Sequence, residues 1–379
     1  MGTKSFSEVL TMITQLEIKN FRGFSEYKIE DVGQVNLLVG TNNCGKTSVL
    51  EALHLLKRRG SEHSLSAVLL HRGEQVSAAT EGGHQARYGD LCGLFYGFQL
   101  TPQSKFSIIA HDSQTETLSV YMKPAEGTGL FDSTTGVSGY YQLRVEWSRG
   151  NLGGFQDLYI SEHKGLINIP ENVSIPGTFF KKEEKNNVSS EFIYASSSSP
   201  KEIVERFDRI VLTPEEDLVL DAVRIFDPDI IRLASYNESG SSSRNTSRGG
   251  ILVKSKKWEN RIHIGSFGDG IWHLLSIILS LVEAKNGTLL IDEIDTGLHH
   301  SVMSKIWKIF CTTAKKLNVQ VFATTHSRDY WETLADNAVE DEFADMPIRI
   351  HRINKDKKQA TTFTNREMHL ALNRELEVR

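Results

Sequence analysis

Residues 40–47 read Gly40-Thr41-Asn42-Asn43-Cys44-Gly45-Lys46-Thr47, which fills every position of the GxxxxGK[ST] pattern. That spacing suits a loop wrapped around phosphate. Gly40 and Gly45 let the backbone close in, so that the amides of Asn42, Asn43, Cys44 and Gly45 aim at phosphate oxygens. Lys46 reaches the β and γ phosphates, and Thr47 offers a hydroxyl to Mg²⁺. Ser48 follows at the start of a helix, whose positive end favours the same anion. ATP and Mg²⁺ are the cofactors these residues imply.

A second group lies far along the chain. Leu289-Leu290-Ile291 is an apolar run that ends in Asp292 and Glu293. A P-loop site needs a metal-holding acid and a water-activating base at a strand end, and these two fit as metal ligand and general base respectively. The apolar run at 319–325 ends in His326, where a neutral imidazole would emerge beside that strand end to sense the γ phosphate. Ser266-Phe267-Gly268-Asp269-Gly270 precedes a helix carrying Ile271, Leu274, Leu275, Ile278 and Leu279 on one face. A serine and glycines at a helix start make a second anion site, and the same stretch also reads as a plain glycine turn into a core helix. If it sits on the lobe opposite its own P-loop, its use calls for a second copy of the chain.

Positioning these groups requires a sheet covered by helices. Strand patterns at 14–19, 27–29 and 35–39 precede the glycine loop, and 48–57 is an apolar helix directly after it. Short helices and loops are expected over 60–105. Runs at 106–110, 118–122 and 140–147 read as antiparallel strands of a β-rich lobe. Ser196–Ser199 followed by Pro200 marks a boundary, and helices follow at 201–207 and 214–226, the second with Thr213 as N-cap. The Ser, Gly and Arg-rich segment 238–250 is either a hairpin tip between strands at 231–236 and 250–254 or a mobile functional loop. A helix at 302–317 between strands at 289–291 and 319–324 restores the α/β alternation. The expected fold class is α/β, a mixed β-sheet core with helices and an inserted β-rich and helical lobe. The expected division is 1–105, 106–250 and 251–379.

Composition adds bounds. The 379 residues are 39% hydrophobic and 24% charged with a formal net charge of −5, the profile of a globular chain that demands no nucleic-acid partner and leaves one open. Three scattered cysteines give neither a disulfide framework nor a CxxC zinc pair, and HExxH and GxSxG are absent. No leader or lipid anchor is read at the start. The apolar run at 271–282 is too short for a bilayer and is broken by His273 and two serines. A cytoplasmic setting without membrane contact is the expectation.

With these pieces placed, the chain resembles the ABC-type ATPases of the SMC, RecF and OLD (overcoming lysogenization defect) group. It is most similar to the OLD-like AAA-type ATPases of bacterial defence loci. The resemblance rests on Ile18-Lys19-Asn20-Phe21-Arg22-Gly23-Phe24, the P-loop through Leu53, Ser266 to Gly270, Asp292-Glu293-Ile294-Asp295-Thr296-Gly297-Leu298-His299, and Thr325-His326-Ser327. It implies an ABC-type ATPase head in which Arg22 approaches the nucleotide and Ser266 to Gly270 is a signature acting in trans. Asp295 would lie in a D-loop at a dimer seam and His326 would be the switch histidine. The signature departs from the Leu-Ser-Gly-Gly-Gln of transporters, and Gln99 and Gln103 are the candidates for a Q-loop. Members of the OLD nucleases carry a Toprim domain, and the short acidic tail expected after His326 leaves no room for one. The implied partners are a second copy of the chain, as a homodimer or higher homo-oligomer, and a separate effector, a nuclease or toxin in phage defence. A RecF-like DNA-repair ATPase is the alternative.

Overall fold

The computed structural model describes residues 12–79, 85–124, 141–160, 166, 190–193, 199–236, 250–299, 302–376 and 378. In chain order, β1 (Gln15–Phe21) and β2 (Phe24–Ile29) form a hairpin, β3 (Val35–Val39) runs into the glycine loop, and α1 (Lys46–Lys57) leaves it. Next come α2 (Glu62–His71), the pair β4 (Gln75–Ala79) and β5 (Gln85–Gly89), and the antiparallel series β6 (Lys105–His111), β7 (Thr115–Pro124), β8 (Tyr141–Arg149) and β9 (Leu152–Tyr159). β10 (Ser190–Ile193) precedes α3 (Pro200–Ile210), α4 (Glu216–Val223), β11 (Ile230–Ser235), β12 (Ile251–Ser255) and β13 (Ile262–His263). The remainder alternates α5 (Asp269–Glu283), β14 (Thr288–Ile291), α6 (Met303–Lys316), β15 (Gln320–Thr324), α7 (Arg328–Asn337), β16 (Ile348–Arg352), β17 (Thr361–Phe363) and α8 (Asn365–Asn373).

Two six-stranded sheets organise the chain, in the orders β2-β1-β6-β7-β8-β9 and β10-β14-β15-β3-β16-β17. The first is antiparallel throughout, and the second is parallel except for β17. Helix α1 lies between them. Val49, Leu50 and Leu53 share one core with Ile18, Phe106 and Leu118 of the antiparallel sheet and with Leu38, Leu290 and Phe322 of the parallel one. A helix buried on two sides keeps almost no exposed face, so Ser48, Glu51, His54 and Lys57 are buried along with the apolar residues of 48–57. The other face of the parallel sheet packs Leu37, Leu289 and Val321 against α5, α6 and α7 through Leu275, Phe310 and Trp331. A fully covered parallel sheet explains why β3, β14 and β15 are mostly apolar and buried at every position.

Several expectations need correction. Within 106–250, β6 pairs with β1, continuing the sheet begun before the P-loop, β10 pairs with β14, and β11 pairs with β12 in a small separate sheet. Segment 60–105 contains the β4–β5 pair as well as a helix; Gln75-Val76-Ser77-Ala78 and Gln85-Ala86-Arg87-Tyr88 alternate polar and apolar, the pattern that marks both strands. Thr213 caps no helix; its hydroxyl donates to the carbonyl of Ile210, and α4 begins three residues later. The helix before it, α3, is the capped one, the Ser199 hydroxyl accepting from the Glu202 amide while the Glu202 carboxylate accepts from the Ser199 amide. The segment after His326 is no tail. It supplies α7, α8 and β16, and β16 pairs directly with β3. The loop at 238–249 lies outside the described residues.

Candidate functional site

The parallel strands β14, β15 and β3 end side by side, and the loops that follow them converge on one place. After β3, Gly40 has φ +143, and a Cβ there would lie 2.5 Å from the Ile353 carbonyl oxygen and 2.8 Å from Cys44 Sγ. Gly45 has φ +103 at the cap of α1, where a Cβ would come within 2.4 Å of the Phe24 ring. Both positions therefore demand glycine for backbone angle and for space. Asn43 adds a third left-handed residue at φ 58. Lys46 is buried, its Nζ donating to the carbonyls of Gly40 at 2.9 Å and Thr41 at 3.1 Å. Burial draws the Lys46 ammonium below the usual lysine range, opposed by the charges of Cys44, Asp292, Glu293 and Asp295.

Thr47 and Asp292 meet, the hydroxyl lying 3.2 and 3.1 Å from the two carboxylate oxygens. Thr324 at the end of β15 donates to Asp292 Oδ1 at 2.6 Å and accepts from the Glu293 amide at 2.8 Å. One threonine thus fixes both acids. A hydroxyl beside a buried carboxylate is an oxygen donor set suited to Mg²⁺. Among the described residues no group of three or more His, Cys, Asp or Glu could hold a metal, so phosphate oxygens and water would complete the coordination. Glu293 has φ 53, a strained angle for a non-glycine residue, and its side chain turns out, about half exposed.

His326 sits between the two groups. Its Nδ1 lies 3.5 Å from Lys46 Nζ and its Nε2 lies 4.0 Å from Glu293 Oε1. Asp295 accepts from the Thr325 hydroxyl at 2.8 Å, so the turn after β14 is tied to the residue before His326. The sequence thus anticipates the meeting of Lys46, Thr47, Asp292, Glu293 and His326.

Ser266 to Gly270 leads into α5. Ser266 and Gly268 are exposed, Gly268 has φ +91 with open space where a Cβ would stand, and Gly270 packs against the turn after β14, a Cβ there falling 2.8 Å from the Gly297 carbonyl oxygen. Gln99 and Gln103 are both exposed.

Arg22 is the main correction. It is 2% exposed, its Nε 2.5 Å from Glu51 Oε2 and its Nη1 2.8 Å from Glu74 Oε1 and 3.1 Å from the Gly93 carbonyl oxygen. The guanidinium is committed to the second turn of α1 and not to the loop's phosphate face. A buried carboxylate such as Glu51 needs a cation, and the cost of leaving it unpaired decides where Arg22 goes.

Three residues escaped the sequence reading. Arg72, following α2, donates to Glu51 Oε1 at 2.6 Å and to Ser48 Oγ at 3.2 Å, next to the P-loop threonine. His71 lies near enough to Asp292 for that charge to oppose the fall in its pKa caused by burial. Thr324 is the third. Its place directly before Thr325 and His326 was a usable signal, whereas nothing around His71 and Arg72 points to the site.

Residues 12–219, more than half of the chain, match the family model described as AAA ATPase domain. The chain belongs to that family. Residues 170–330 of the ATPase also match a model described as AAA domain, putative AbiEii toxin, Type IV TA system. It is 24% identical over 357 residues to a Helicobacter pylori protein named ATP/GTP phosphatase, a match covering 88% of this chain and 90% of that one. A 22% identical stretch of 188 residues, 48% of this chain and 47% of the other, is shared with the DNA replication and repair protein RecF of Lysinibacillus sphaericus. Among solved structures, an SMC head bound to the C-winged helix domain of ScpA is 12% identical with a TM-score of 0.45, covering 93% and 98% of the two chains. No helix among the described residues is long and apolar enough to cross a membrane.

Proposed function

We propose that this ATPase is a Mg²⁺-dependent, two-headed switch in which ATP is sandwiched between two copies of the chain. The observation that carries the reading is the exposure of the second glycine motif at the start of α5. Lys46, Thr47, Asp292, Glu293 and His326 converge on one edge, while Ser266 and Gly268 face solvent from the start of α5. In this reading Thr47 and Asp292 hold Mg²⁺, Glu293 polarises the attacking water, and His326 senses the γ phosphate beside Lys46. The exposed Ser266–Gly270 edge and Asp295 serve the partner's nucleotide. ATP joins the heads, and hydrolysis releases them. The dimer's state is passed to a separate effector, a nuclease or toxin in phage defence. The match described as a putative AbiEii toxin supports that last step, which takes place in the cytoplasm.

A second reading, a RecF-like DNA-binding ATPase, is favoured by one surface. Arg232 and Lys254 face each other across β11 and β12, and with exposed Lys256, Arg261 and Trp258 they form a cationic and aromatic face.

One experiment addresses both readings. Under ATP, Glu293→Gln should run as a dimer in light scattering and hydrolyse at least a hundredfold more slowly, and Lys46→Ala should stay monomeric. A Glu293→Gln protein that hydrolyses at the wild-type rate refutes the site. ATP-dependent, salt-sensitive binding of the dimer to duplex DNA, lost in Arg232→Glu/Lys254→Glu, would favour the second reading.

A further inference from the structure

Gly270 and His273 lie three residues apart on one face of α5, at its first turns. Both meet the turn that carries Glu293, Ile294 and Asp295. Gly270 touches the Gly297 carbonyl closely enough to exclude any side chain, and His273 Nε2 lies 3.2 Å from the Ile294 carbonyl oxygen. A carbonyl only accepts, so Nε2 must carry the proton. The imidazole is buried and its Nδ1 has no hydrogen-bond partner among the described residues, so the ring is neutral in the Nε2–H tautomer. A leucine would fill this space at a position buried like its neighbours Trp272 and Leu274. A buried histidine with one nitrogen left unpaired is a costly choice there.

The contact continues on the far side of the turn. The Glu293 amide donates to Thr324, and Asp295 accepts from Thr325 immediately before His326. Movement at the head of α5 is therefore linked through one backbone carbonyl to the base, the D-loop acid and the switch histidine.

We infer that His273 is a positioning residue, whose bond to Ile294 sets Glu293 and Asp295 according to the placement of the Ser266–Gly270 edge. The inference rests on the assignment of Glu293 as general base. A partner's nucleotide engaged at that edge shifts the head of α5, and His273 conveys the shift to the same chain's own hydrolysis site. ATP binding at the P-loop does not pass through this bond.

The test compares His273→Met, which fills the volume without a donor, with His273→Gln, which keeps an amide donor. His273→Met should lower kcat by about ten- to a hundredfold, as expected for a misplaced base, while KM and the affinity for a fluorescent ATP analogue stay within about twofold. His273→Gln should recover most of kcat. A merely structural role would lower affinity and unfolding midpoint together and spare neither variant, which would overturn the inference. Wild-type kcat in a folded His273→Met protein would also overturn it. Nitrogen NMR of the imidazole in the wild-type protein supplies a check independent of variant folding: the Nδ1–H tautomer would refute the assignment. Glu293→Gln run in parallel separates the two failures. If it hydrolyses normally, the site reading fails and this inference with it; if it is inactive while His273→Met is fully active, only this inference fails.

Discussion

Arg22 distinguishes a nucleotide ligand from a structural cation, and Arg22→Met tests which it is. The substitution keeps most of the side-chain volume and removes the charge. It leaves Glu51, whose side chain is fully buried, with Arg72 at 2.6 Å as its remaining cation among the described residues, and leaves Glu74, about a quarter exposed, facing water. Removing one member of a buried pair costs about 3–5 kcal/mol, and the surviving Arg72 contact places this case near 3. With a urea slope of about 2–3 kcal/mol per M, the unfolding midpoint should fall by about 1–1.5 M. The double variant Arg22→Met/Glu51→Met removes the stranded carboxylate and should regain most of that loss, because a buried ion pair is replaceable by apolar groups of similar volume. Arg72, a third exposed, then turns to solvent. Denaturant titration with ATP-analogue binding on the same samples is the assay. If Arg22→Met keeps its midpoint but loses ATP affinity tenfold or more, and Glu51→Met brings no recovery, Arg22 contacts nucleotide and the structural account is refuted.

Gly45→Ala combines a left-handed backbone with a Cβ 2.4 Å from the Phe24 ring. Its cost should be roughly 2–5 kcal/mol, and ATP affinity should fall more than tenfold; an alanine variant that binds ATP normally would contradict the loop geometry. Acid should destabilise the protein through two buried histidines, His351 pushed down by burial to about 3 and His54 likewise to about 4. Their neutral state is fully compatible with folding above the ordinary histidine value near 6.5, and stability is lost as pH falls from there toward the folded values, because the unfolded chain takes up the proton first. Each contributes up to about 1.4 kcal/mol per pH unit, so His351→Gln should flatten the stability profile between pH 6 and 4 by about one proton, and an unchanged slope would disprove the assignment.

The sequence by itself determined what lies within a few residues of a motif. Gly40 to Thr47 is legible because the atoms that cradle phosphate are consecutive, and the strand before and helix after are forced by the same short stretch. The apolar runs before Asp292 and His326 announced buried strand ends, and strand ends in one parallel sheet gather at one edge. Tertiary structure decided the rest. Thr47 and Asp292 are 245 residues apart, and only the sheet order β14-β15-β3 makes them neighbours. Arg22 stands in a motif that suggests nucleotide, yet the cost of an unpaired carboxylate on α1 draws it to Glu51. The strands after the P-loop look like a separate body in sequence, and joining β1 gives them the apolar face of α1 to cover. The bond from His273 to Ile294 crosses from a core helix to the turn that carries Glu293. Local pattern encodes periodicity and backbone preference, whereas partners for buried charges and hydrogen-bonding groups are chosen by packing between segments that the chain brings together only when folded.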